Sequence, residues 1–248
     1  MMKFVVFLLT LLGLSTSTVS AASIAKGYLP AVQNIYVLFS GVLVKGPVKE
    51  IKATFYTEDK TVTQDIQLKL DQKSCIESFE SISHGIQQHI QLKRDNNQLK
   101  GSSNEGEIII DLDEQCRFIS QKDSYGTTYF EYDERNYIKS IHSKEDNGTV
   151  DKVVYSNLGE LQEMNYYDKN QLYMQTLFKP LADINRYADI QIEQKMLGDL
   201  GYISERKCQY NHFGAPTNCQ ILTKYDADGE MQTQRQSVVI DTQFEEWQ

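Results

Sequence analysis

The sequence predicts a mainly β protein: an antiparallel meander of hairpins in an open or partly closed sheet, with at most one or two short helices. Two observations carry this. A small turn signature recurs: Tyr, then Asp, Asn, Ser or Thr, two free positions, a turn residue, one more position and an apolar residue. The stretches between its copies alternate apolar and polar residues, as a half-buried strand does. The clearest copies are Tyr210-Asn211-x-x-Gly214-x-Pro216 and Tyr225-Asp226-x-x-Gly229-x-Met231. Further copies begin at Tyr56, Tyr132, Tyr155 and Tyr167. The polar second residue bonds nearby backbone and starts a turn, and glycine supplies positive φ. Gly159, Gly214 and Gly229 are therefore expected at hairpin tips, each with its tyrosine at a strand end.

Residues 1–22 read as an export signal. Lys3 precedes an apolar core from Phe4 to Leu14, and small residues around Val19–Ser23 suit cleavage before Ala22 or Ser23. No cysteine lies near that site, so no lipid-accepting position is expected, and no transmembrane segment after cleavage. Residues 23–45 read as a strand or linker: Ile35–Val44 is apolar, rich in β-branched and aromatic residues, and too short to span a bilayer. Residues 46–248 then read as one β-rich domain. Val62–Leu70 alternates cleanly. Residues 75–93 divide into two short strands at His84-Gly85, and 94–106 (RDNNQLKGSSNEG) reads as an exposed polar loop. Ile108 opens a strand expected to reach Cys116 and Phe118. Pro180–Leu200 holds the one good helix candidate, a short helix or loop leading into a strand, and Val238–Phe244 closes the fold.

Composition narrows the function. The 248 residues are 40% hydrophobic and 24% charged, with a formal net charge of −9. That balance is globular and argues against nucleic acid or an anionic membrane as main partner. His84, His89, His142 and His212 lack ligand spacing, and no HExxH or CxxC occurs. Asp226-Ala-Asp228-Gly-Glu230 lacks a calcium loop's full pattern and reads as a turn. There is no GxSxG, GxGxxG or phosphate loop. Asp111 and Asp113 share a strand face and are the carboxylate pair that acid–base chemistry would use. No metal, cofactor or catalytic residue is expected.

Four cysteines in an exported chain imply two disulfides. Cys208 and Cys219 are equidistant from Phe213-Gly214, so a hairpin centred there sets them face to face, leaving Cys75 and Cys116 to pair. Pro216, without an N–H, suits a non-hydrogen-bonded position. A two-residue turn would then put the cysteines at a hydrogen-bonded pair, whereas a longer tip or a bulge would reverse the register, and both remain open.

Gly46-Pro47-Val48-Lys49, Cys75-Ile-Glu-Ser-Phe79, Cys116, Cys208-Gln-Tyr-Asn211 and Asn218-Cys219-Gln220 together resemble the YnfC-type family of Gram-negative envelope lipoproteins. The likeness runs from about Gly46 to the C-terminus. It implies an envelope location with no established activity, although this chain lacks the family's lipid-accepting cysteine. The hairpin tips are also similar in chemistry to the YD repeats of Rhs-type shell proteins. The expected function is a non-enzymatic binding or structural component of the periplasm, with an unknown envelope protein or ligand as partner. The alternatives are a small-molecule binder using a tyrosine-rich sheet face or a barrel mouth, and then a carboxylate-dependent hydrolase.

Overall fold

The structure is a computed structural model that describes residues 27–144, 150–182, 184–227 and 230–245. The export signal, Gly229 and the Asp228-Gly229 tip lie outside the described residues. One helix, α1 (Pro30–Phe39), precedes sixteen strands. The first eight are β1 (Val48–Thr57), β2 (Val62–Leu70), β3 (Ile76–Ser83), β4 (Gln88–Asp95), β5 (Gln98–Ser103), β6 (Gly106–Leu112), β7 (Phe118–Asp123) and β8 (Gly126–Tyr132). The rest are β9 (Ile138–Ser143), β10 (Val150–Tyr155), β11 (Leu161–Asp168), β12 (Gln171–Pro180), β13 (Ile190–Met196), β14 (Asp199–Tyr210), β15 (Pro216–Ala227) and β16 (Glu230–Phe244). Each strand pairs antiparallel with the next, and β16 pairs with β1 through contacts such as Ala53↔Ile240. The sheet is thus a closed barrel, not open or partly closed. Local alternation specifies strands but not the long-range β1–β16 pairing, which satisfies the backbone groups that two free edges would expose.

Register and burial assign the two faces of the wall. Ala53, Ile66, Leu68, Phe79, Leu92, Leu99, Ile110, Ile138, Val153, Met164, Phe178, Val238 and Ile240 are buried and form one contiguous inner core. The intervening residues face outward and are polar or charged on strand after strand: Lys52, Asp65, Glu80, Lys93, Lys100, Asp111, Glu131, Lys152, Glu193, Lys207 and Lys224. Cross-strand pairs on this surface include His84–Asp65, His89–Glu80 and Lys179–Glu193. A lipid-facing barrel carries its apolar band on the outside; this wall has the reverse polarity.

The apolar run at Ile35–Val44 begins in a helix, not a strand. Pro30 sits at the first helical position, where its missing N–H costs nothing. Val32, Gln33, Asn34, Ile35 and Val37 are all buried, so α1 is enclosed on every side, as a helix inside a barrel must be. Phe39 stacks on Phe79 and Tyr36 packs edge-on against Phe178, so the helix bridges β3 and β12. Tertiary enclosure overrode the strand propensity of these residues. Val42, Leu43 and Val44 are buried in the same core.

Two further expectations need correcting. The polar stretch 94–106 is a hairpin rather than a loop: β5 turns Leu99 inward and leaves Lys100 and Ser102 outside. At Gly101 an added Cβ would meet the Gln91 carbonyl oxygen at 1.6 Å, so only glycine fits there. The strand from Ile108 stops at Leu112, because Asp113–Arg117 turns the chain before Phe118. After Pro180 a short helical turn, Ile184–Arg186, leads into β13, as expected.

Six turns share one geometry: those starting at Thr57, Asp71, Asp113, Asp133, Ser156 and Asn211. In each, the N–H of residue i donates to the carbonyl of i+4, and the N–H of i+3 donates to the carbonyl of i. The i+3 residue has positive φ in all six: Lys60, Ser74, Cys116, Asn136, Gly159 and Gly214. A bulge adjoins every one. The side chain of residue i accepts backbone N–H groups inside the turn, as Asp133 does from Arg135 and Tyr137. Four of these turns carry the tyrosine signature. Two, at Leu70-Asp71 and Leu112-Asp113, have leucine in the tyrosine's place. The Tyr167 copy departs from the pattern, because Lys169 and Asn170 form a two-residue turn with both φ positive.

Candidate binding cleft

Five of those six turns, all but the one at Thr57, lie at one end of the barrel, with the chain's entry into α1. Here called the closed end, it is partly covered by tyrosines preceding three of these turns. The Tyr132 hydroxyl donates to the Phe118 carbonyl and the Tyr155 hydroxyl to that of Ile138. Tyr210 accepts from the Ala188 N–H and donates to Asp189. A guanidinium covers each ring: Arg117 over Tyr132, Arg135 over Tyr155, Arg186 over Tyr210. Burial pushes all three hydroxyls well above the ordinary tyrosine pKa. The signature tyrosines of this end therefore hold the fold and do not form an exposed ligand face. Asn34 ties α1 to the wall: its amide donates to the Asn136 carbonyl, and its carbonyl accepts from the Ile138 N–H.

Both disulfides belong to the same end. Cys75, in the turn before β3, joins Cys116, in the turn before β7, past the β4–β5 turn that lies between them. Cys208 joins Cys219, its direct register partner on β15. The Cys208 N–H donates to Asp189 rather than across to β15, so the cysteines occupy a non-hydrogen-bonded pair. The bulge between Gln209 and Tyr210 resolves the register in that sense.

A cleft of about 270 Å³ opens between the Ser156–Glu160 turn and the 181–189 loop. Leu158, Leu161, Phe178, Pro180, Tyr187 and Ile190 give it an apolar lining. Gly159, at the tip of that turn, has its Cα against the Tyr137 ring. At the cleft's rim, Glu160 takes an ion pair from Lys45 and a 2.8 Å hydrogen bond from the Tyr28 hydroxyl. Lys45 also lies 4.7 Å from the centre of the Tyr187 ring. Burial raises the Tyr28 hydroxyl well above its usual range, with the Glu160 charge adding to it. Burial also pushes Tyr187 up to about 12. Sequence reasoning missed this group: Lys45, Glu160 and Tyr187 are far apart in the chain and only closure of the barrel assembles them. The isolated positive residue Lys45 at the end of an apolar run was the one available signal.

The carboxylate pair is divided between tasks. Asp111 accepts from Gln98 and Ser120, which hold its carboxyl below the usual range. Asp113 caps its turn and pairs with Arg117; those bonds outweigh the upward push of burial. Among the described residues no cluster of three His, Cys, Asp or Glu is placed to hold a metal, and no helix is long and apolar enough to cross a membrane.

Residues 2–245 match the model of UPF0257, an uncharacterised protein family. The chain belongs to UPF0257. No curated protein matches it in sequence. Among solved structures it is similar to a porin-like protein from Bacteroides uniformis, with 13% identity and a TM-score of 0.54. The match covers 79% of this chain and 97% of that one. At that identity the likeness is one of fold. The pair of disulfides is consistent with an exported or envelope protein.

Proposed function

We propose that this UPF0257 chain is an exported, non-enzymatic binding protein of the bacterial cell envelope that holds a small apolar ligand at the closed end of its barrel. The observation that carries the reading is the enclosure of α1 and residues 42–44 inside a barrel whose outer wall is charged. A filled lumen does not serve as a pore, and a charged wall does not face lipid. What remains for a ligand is the apolar cleft left where the filling meets β11–β13, the usual character of a small-molecule site. The periplasm, reached through the N-terminal export signal, is the compartment that suits the two disulfides.

Native mass spectrometry of the protein recovered by osmotic shock tests this. The expected result is a chain beginning at Ala22 or Ser23 that carries an added small-molecule mass, lost in Ala182→Trp, which fills the cleft from its lip. An intact Met1 in the cytosol would overturn the export half. Absence of any bound mass, with no ligand raising the melting temperature, would overturn the binding half.

The exposed rim opposite the closed end favours a second reading, a docking or structural role. Leu172, Tyr173, Met196, Leu197, Leu200 and Met231 are all exposed on neighbouring tips there, and contiguous apolar surface of this kind marks contact sites.

A further inference from the structure

Among the described residues that line the cleft, one side chain is charged, Glu160. Both of its oxygens are committed: Oε1 to the Lys45 ammonium, and Oε2 to the Tyr28 hydroxyl at 2.8 Å. Lys45 is held as closely. Its Nζ lies 4.7 Å from the centre of the Tyr187 ring and 5.1 Å from that of Tyr28, and the two rings meet edge to face at 5.8 Å. The Lys45 backbone N–H donates to the Tyr187 hydroxyl at 3.1 Å. Glu160 belongs to the turn on one side of the cleft and Tyr187 to the loop on the other, and both line it. Lys45 therefore joins the two lips, and these distances set its ammonium at the rim between them.

Two properties of this group bear on a ligand. The first is that its charges cancel. The Lys45 and Glu160 side chains are only 10% and 22% exposed, so solvent screens them weakly, and a third charge of either sign would enter beside a like charge. The second is an unspent donor capacity. An ammonium carries three N–H groups, and among the described residues the only oxygen that accepts from the Lys45 ammonium is Glu160 Oε1. The Tyr28 and Tyr187 rings attract its charge, but the remaining N–H groups still lack an oxygen to bond. A neutral acceptor entering from the cleft meets that need without adding charge.

We propose that the Lys45–Glu160 pair is a charge filter and that the cleft takes an uncharged amphiphile, whose hydroxyl or carbonyl oxygen accepts from the Lys45 ammonium while its chain lies along Leu161, Phe178 and Ile190. The carboxylate of the same chain would be set against Glu160, and the amine against Lys45. At about 30 Å³ of liquid volume per small group, a cleft of about 270 Å³ holds about nine such groups, the size of octanol. The proposal rests on the reading of the cleft as a binding site and adds the ligand's charge and head group.

Calorimetry at neutral pH with octanol, octanoate and octylamine on the wild type, Glu160→Gln, Lys45→Met and Ala182→Trp tests it. The wild type is expected to bind octanol at least about tenfold more tightly than either charged analogue, because like charges side by side cost affinity steeply. Glu160→Gln keeps an acceptor for the Tyr28 hydroxyl and leaves the Lys45 charge unopposed, so octanoate is expected to overtake octanol. Lys45→Met keeps an unbranched stem and leaves Glu160 unopposed, so octylamine is expected to overtake octanol. A pair that only holds the lips together would weaken all three ligands alike and leave their order unchanged, and that result overturns the filter. A wild type that binds octanoate or octylamine as tightly as octanol overturns it too, and leaves the cleft standing. Where a charge variant does not fold, the wild-type order and the other variant decide. Octanol is expected to be lost in Ala182→Trp; binding that survives this substitution lies outside the cleft and overturns the filter. If none of the three binds, the filter falls as well, and the native mass spectrum tells whether the binding reading falls with it.

Discussion

Gly159 and Gly214 occupy the same place in two copies of one turn, with φ of 81° and 77°, but their surroundings differ. A Cβ on Gly214 meets nothing within 4 Å; on Gly159 it meets the Tyr137 ring at 3.0 Å and its hydroxyl oxygen at 3.4 Å. Alanine costs about 1–2 kcal/mol at positive φ, less about 0.4–1 kcal/mol recovered from the stiffer unfolded chain. Gly214→Ala should therefore destabilise by about 1 kcal/mol. Gly159→Ala adds a contact that cannot relax easily, because the Tyr137 hydroxyl is fixed on the Tyr28 carbonyl at 3.0 Å and Arg135 lies over its ring. Overpacking of this kind costs about 1–3 kcal/mol, for a total of about 2–4 kcal/mol. Urea unfolding followed by circular dichroism reads both; a chain of this size loses about 2–4 °C of melting temperature per kcal/mol. The reasoning fails if the two variants lose the same stability, or if Gly159→Ala is the milder one.

Asn34→Ala should cost about 1–3 kcal/mol, since it leaves the Ile138 N–H buried without an acceptor; chemical denaturation with an unchanged m-value checks it. Loss of a disulfide should lower the unfolding free energy, by about 4 kcal/mol in the chain-entropy model for the 41-residue Cys75–Cys116 loop and about 3 kcal/mol for the 11-residue Cys208–Cys219 loop, read from the urea unfolding of Cys→Ser pairs. Asp71 and Asp113 have carboxyls lowered in the folded protein, because backbone and arginine hydrogen bonds outweigh the opposing effect of burial. Their contribution is complete above the unfolded aspartate value of about 3.9 and is lost as pH falls through the lower folded values. The urea midpoint should therefore fall with pH below about 4, and less steeply in Asp71→Asn.

What the sequence made legible was local. Asn211-x-x-Gly214 names its turn because a side-chain acceptor and a positive φ are both set within five residues. The same chemistry at Asp71-x-x-Ser74 and Asp113-x-x-Cys116 was harder to read, because leucine replaces tyrosine and neither Ser74 nor Cys116 advertises positive φ. The Cys208–Cys219 pair was legible as a symmetry about one tip. Closure was not: Ala53 and Ile240 look the same whether their strands end a sheet or meet each other. Nor was the helix, since Ile35–Phe39 has strand-like residues and owes its conformation to the walls around it. Of the cleft, the Ser156–Glu160 turn was visible, whereas Lys45 and Tyr187 come together only through the closed wall.

The β1–β16 seam has a consequence for the order of assembly. The strands that seal the barrel are the first and last of the sixteen, so every other hairpin can form before the ring shuts. Until Val238 and Ile240 arrive opposite Phe55 and Ala53, the sheet is a curved ribbon with two bare edges and α1 lies in an open trough. Contacts of such sequence separation are slow to find, and bare edges recruit other chains in the meantime. Completion of the barrel is therefore governed by the fifteen residues of β16. A chain cut short of β16 would lose one strand in sixteen but would keep both edges, and its fate would be aggregation rather than a slightly smaller barrel.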